Sequence, residues 1–104
     1  MNKLISKIEY VVERLLLYEQ TEYAKAAEEL VNMMISEFPV IISYYAVPEM
    51  SDYAKDAEYW PGQLERVLNA LNAGDDLATA DILYCETRAN LIELRDILKE
   101  KGLI

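Results

Sequence analysis

The stretch spanning residues 74–102, GDDLATADILYCETRANLIELRDILKEKG, constrains the fold of this 104-residue chain more than any other. A helix-stopping glycine and two aspartates open it, an unbroken helical pattern fills it, and Lys-Gly closes it. Asp75 or Asp76 suits the N-cap, where a side-chain oxygen takes up an amide donor that the first helical turn leaves unpaired. Gly74 and Gly102 suit the positions just past helix ends, and Leu103 is placed to fold back on Leu98 as in a Schellman motif. Lys99 and Lys101 lie where the helix dipole favours positive charge.

A helix of this length must bury one side, yet two stripes along it are apolar. Leu77, Ala80, Tyr84, Thr87, Leu91, Leu94 and Leu98 recur at spacings of 3, 4, 3, 4, 3 and 4, a coiled-coil-like seam expected to face the core. Ala78, Ile82, Cys85, Ala89 and Ile92 form a second stripe roughly 150° around the helix. Either helices on both flanks enclose this segment, or the second stripe is a contact surface for a partner helix or another copy of the chain.

The rest of the chain supplies three more helical stripes. Leu4, Ile8, Val11, Leu15 and Tyr18, widened by Ile5, Val12 and Leu16, predict helix one over about residues 3–19, with Asn2 as N-cap. Gln20-Thr21 makes a short turn with Thr21 as cap. Tyr23, Ala27, Leu30, Met34, Phe38, Ile41 and Tyr45 predict helix two over about residues 22–45. Pro39 interrupts it, and since proline removes a ladder hydrogen bond and crowds the preceding turn, a kink is expected near residues 35–38. Residues 46–50 read as a loop marked by Pro48. Tyr53, Ala57, Trp60, Leu64, Val67 and Leu71 predict helix three to residue 73, capped by Ser51 or Asp52 and kinked at Pro61-Gly62.

A shift of 53 residues aligns Thr21 with Gly74, Ala27 with Ala80, Leu30 with Leu83, Phe38 with Leu91 and Ile41 with Leu94. Each half is then a helix, a tight acidic turn and a second helix. Turns this short force antiparallel neighbours. The expected fold is one all-α domain over residues 1–104, an antiparallel four-helix bundle of two αα-hairpins, about 3–45 and 52–101.

Composition limits what such a bundle does. No apolar run approaches the roughly 18 residues of a membrane span, and the N-terminal segment has no clean apolar run or cleavage site of a signal peptide. The net charge is −9, which repels phosphate backbones and anionic lipids, so neither nucleic acid nor membrane is expected as a partner. A single cysteine, Cys85, builds no internal disulfide and fits a reducing cytoplasm. With no histidine and no local cations to lower its thiol pKa, Cys85 reads as a small buried apolar residue, unless the second stripe is a contact surface.

No catalytic, cofactor-binding or metal-ligating residue is assigned. The enzyme reading would be a magnesium-dependent all-α nucleotide pyrophosphatase, which holds metal ions with paired carboxylates on helices. Glu19/Glu22, Glu49/Asp52 and Glu93/Asp96 match its letters, but the first pair straddles a turn and Glu49 lies in the Pro48 loop. Eight tyrosines stand against one phenylalanine. Tyr44, Tyr45, Tyr59 and Trp60 flank the long loop, and aromatics with a polar end suit either an interface or the wet rim of a bundle.

In its helix–acidic turn–helix units, YEQTEYAKAAEEL and LNAGDDLATADIL, the chain resembles small bacterial helical accessory proteins, among them the flagellar export chaperones. The resemblance covers both hairpins and implies a bundle that binds a protein through an apolar helix surface. It transfers no individual residue. The expected function is a non-enzymatic interaction module, adaptor or chaperone-like, which contacts a protein partner or dimerises through helix four.

Overall fold

Apolar residues spaced by three and four bury themselves by packing helix on helix. The computed structural model describes residues 1–17 and 20–104, with side chains for 1–17 and 23–104. Over these residues the chain is an all-α four-helix bundle without strands. α1 spans Asn2–Leu16 and α2 spans Gln20–Tyr44. A turn and a 3-10 segment, Pro48–Glu58, lead into α3, Tyr59–Asn72. α4 is one continuous rod: an α segment Asp76–Asp81, a π-helical run Ile82–Arg88 and a second α segment Ala89–Glu100. None of the described helices is long and apolar enough to cross a membrane.

Cross-helix pairs fix the topology. Lys7 meets Glu29 between α1 and α2, and Trp60 meets Tyr45 between α3 and the end of α2. Gln63 with Thr87 and Arg66 with Glu86 join α3 to α4. α4 returns along α1, with Arg95 on Asn2 and Arg88 on Glu9. In the α3–α4 and α1–α4 pairings the residue numbers run in opposite directions, so these neighbours are antiparallel. α1 and α3 both flank α4, and the bundle measures 44 × 21 × 21 Å.

The turn after α3 follows from local chemistry. Gly74 adopts φ 69°, Asp75 Oδ1 accepts from the Ala78 amide at 3.0 Å, and α4 starts there. At the other end Gly102 adopts φ 70°. Its amide donates to Lys99 O, and that of Leu103 donates to Leu98 O at 2.9 Å, the pairing of a Schellman cap. Leu103 packs against the core.

Several boundaries differ from the sequence expectation. α1 begins at Asn2, whose Oδ1 accepts from Arg95 instead of capping the helix, and the α1 cap is Met1. As the in-phase stripe predicts, α2 continues through Pro39 as one helix, with Met34, Phe38 and Ile41 buried on one face. Helix three does not start at Ser51 or Asp52. The chain stays in 3-10 form to Glu58, anchored by the fully buried Met50, and turns α-helical at Tyr59. Pro61 then falls in the first α-helical turn, where its missing amide costs little. α2 begins at Gln20, so Gln20 and Thr21 are helical residues and not the turn and cap the sequence suggests; residues 18 and 19, and the side chains of residues 20–22, lie outside the described residues.

The largest correction concerns α4. Its buried positions are Thr79, Ala80, Leu83, Thr87, Leu91, Leu94 and Leu98, while Leu77 and Tyr84 of the expected seam are exposed. Leu83, Thr87 and Leu91 follow one another at steps of four, which one helix face accommodates, and the segment that carries Leu83 and Thr87 is π-helical. α2 buries Ala26, Ala27, Leu30, Met34, Phe38 and Ile41, with Tyr45 buried just past its end, the same series shifted by 53.

Candidate functional site

Turning Leu83 inward carries Tyr84 and Cys85 outward, beside α1. There they join Val12, Leu16, Leu77 and Ala80 along an open groove of about 420 Å³ between the end of α1 and the start of α4. Leu16 is 56%, Leu77 67% and Tyr84 46% exposed, so the floor is apolar and wet. Glu9, Glu13 and Asp81 form its rim. Glu9 is tied to Arg88 at 3.2 Å, and Arg88 lies 4.5 Å from the centre of the Tyr84 ring, which fixes one wall. Glu13 and Asp81 are in no ion pair among the described residues.

The π run is held by a buried polar pair. Gln63 Nε2 donates to Thr87 Oγ1 at 2.7 Å, and Thr87 Oγ1 donates to Ile82 O, five residues back, at 3.2 Å. Both side chains are buried and satisfy each other, so the distortion is locked from α3. Helix distortions of this kind recur at functional sites.

The structure divides the residues singled out by sequence. On the second stripe Ile82 and Ile92 pack against the core cluster and Ala78 is half-buried, so α1 and α3 do enclose much of this face. Cys85 and Ala89 are exposed. Cys85 is therefore not the buried apolar residue its surroundings in sequence suggested. Leu16, Leu77 and Tyr84, read as core, prove to line the groove. Their one sequence signal was the 53-residue echo, which places Leu83 and not Tyr84 opposite Leu30.

The aromatics expected near a contact surface go elsewhere. Trp60 is 1% exposed and packs edge-on against Phe38 and Tyr59 at centroid distances of 5.3 and 5.0 Å. Its Nε1 donates to the buried Tyr45 hydroxyl at 3.0 Å, and Tyr44 is half-buried against the core. With Tyr59, Trp60 and Tyr45 wall a second, smaller cavity under the 3-10 segment. Burial raises the Tyr45 and Tyr59 hydroxyl pKa values above 10.0; hydrogen bonds from Trp60 and Asn90 lower them in part, and nearby carboxylates raise them further. The native state thus prefers both phenols neutral. Their contribution to stability is complete below about pH 10 and is lost as pH rises through the higher native values. In an ultraviolet titration, part of the tyrosine absorbance should change at higher pH than in the urea-unfolded chain, with loss of helix alongside. Superimposable curves would show that neither hydroxyl is shielded.

Among the described residues no group of three or more cysteine, aspartate and glutamate side chains stands close enough to hold a metal ion. Glu49 and Asp52 are exposed on the 3-10 segment, and Asp96 is engaged by Arg95 at 3.2 Å. Glu19 lies outside the described residues, as does the side chain of Glu22.

Fold and groove together define a helical bundle with an exposed apolar seam between α1 and α4. Comparison with protein-family models, curated proteins and solved structures finds no match for this chain.

Proposed function

We propose that the chain is a non-enzymatic interaction module, adaptor or chaperone-like, that seats the apolar face of a basic amphipathic helix between α1 and α4. The observation that carries this reading is the pair Leu16 and Leu77, each more than half exposed and lining one groove. Leucines cost solvation free energy when left in water, and a groove of this kind accepts helix anchors spaced by three and four. Charge favours the occupant. The rim carries Glu9, Glu13 and Asp81 on a chain of net charge −9, so a flanking row of lysine or arginine is attracted. A second copy is the less favoured occupant, because a twofold contact would bring Glu13 and Asp81 near their own counterparts. A reducing cytoplasm suits the exposed and unpaired Cys85.

The test is calorimetric titration with two synthetic helices that share a leucine face, one flanked by lysines and one by glutamates. The basic peptide should bind, more weakly as salt rises. Leu16→Glu with Leu77→Glu should weaken it by about tenfold or more while the circular dichroism stays unchanged. Equal binding of the acidic peptide, or full binding by the double variant, would remove the groove from consideration. Light scattering on the free chain reads the other occupant, since a dimer disrupted by the same two substitutions would mean self-association.

A further inference from the structure

We infer that the cavity under the 3-10 segment is a binding site for a small organic ammonium ion. It lies at the other end of the bundle from the groove and is independent of it. Its volume is about 210 Å³, which suits an amine head group better than a drug-sized molecule. Tyr45, Tyr53, Tyr59 and Trp60 supply aromatic walls, and Asp56 and Glu93 supply two carboxylates; no lysine or arginine lines it.

The polar groups are set to accept. Asp56 and Glu93 are exposed and in no ion pair among the described residues. Asn90 spends its amide hydrogens on Tyr59 Oη and Glu86 O, which leaves its Oδ1 as a further acceptor. An anion would meet two carboxylates and no cation. A divalent metal ion would require a shell of oxygen ligands where this cavity offers aromatic carbon. A diffuse organic cation is matched on both counts: the lining aromatic rings accept its apolar surface, and the carboxylates neutralise its charge. One lining ring already carries an ammonium, since Lys101 Nζ lies 5.8 Å from the centre of the Tyr53 ring. The field of both carboxylates reaches the cavity interior, where each disfavours ionisation of Tyr45.

Trp60 is the only tryptophan, so its indole N–H resonance and its fluorescence report on this cavity alone. The probes are choline, its uncharged tert-butyl analogue and an N-acetyl-lysine amide, the last standing for a lysine side chain of another protein. Choline or the lysine probe should shift the Trp60 signals saturably and the uncharged analogue should not. The tighter of the two cations indicates whether a free amine or a protein side chain is the natural source. Asp56→Asn with Glu93→Gln keeps shape, removes both charges and should weaken binding by about tenfold or more. Glu65→Gln, a surface carboxylate that does not line the cavity, should leave it unchanged. No saturable shift with either cation, an equal shift with the neutral analogue, or equal weakening by Glu65→Gln would overturn the inference.

Discussion

Leu83→Ala is expected to destabilise the protein by about 3 kcal/mol, whereas Tyr84→Ala costs less than about 1 kcal/mol. Leu83 is fully buried in α4 among residues of the central cluster. Truncation removes its transfer free energy and leaves a cavity that the flanking helices fill only in part. Tyr84 is 46% exposed, and its main described contact is the cation–π approach of Arg88. Urea unfolding of the two variants separates them, with the Leu83 variant losing on the order of 15 °C in a parallel melt. The regular spacing of Leu77, Ala80, Tyr84 and Thr87 predicts the reverse ranking. Equal or inverted losses would place the α-helical seam, not the π-shifted one, in the core.

Trp60→Ala should be the most damaging of the aromatic substitutions, at about 4 kcal/mol. Three effects add at this position. The indole is almost wholly buried, it packs edge-on between Phe38 and Tyr59, and its Nε1–H satisfies the Tyr45 hydroxyl. Trp60→Phe keeps much of the apolar contact but leaves the Tyr45 oxygen without its donor, and should cost about 2 kcal/mol. A surface aromatic awaiting a partner would show neither loss. Chemical unfolding of the two variants therefore distinguishes a core tryptophan from a docking one.

Much of the fold is legible in the residues themselves. Leu4, Ile8, Val11 and Leu15 in α1, and the series Ala27 to Tyr45 in α2, are spaced as an α-helix requires and are buried. Asp75, Gly74 and Gly102 act as cap and stops because each has a local chemical reason to. The groove was harder to read. Two overlapping apolar stripes run through α4, and a strict alternation of three and four selects Leu77 and Tyr84 where the helix buries Leu83. Ala80 is followed at three residues by Leu83 and at four by Tyr84, and both spacings fit one helix face, so periodicity alone does not choose the residue that is buried. The buried Gln63–Thr87 contact on the Leu83 side joins residues 24 apart and has no periodic signature. The same limit hid the 3-10 segment, since Tyr53, Ala57 and Trp60 fit a helical stripe yet straddle a change of helix type at Tyr59.

The central functional claim is that the α1–α4 groove is a docking surface for a basic helix. Its most direct test is amide chemical-shift mapping of the labelled chain during titration with the lysine-flanked amphipathic peptide. The predicted result is saturable shifts concentrated at Val12, Leu16, Leu77, Tyr84 and Cys85. Shifts centred instead on the opposite side of the bundle, around Ile35 and Val40 of α2, or no saturable shifts at all, would contradict it.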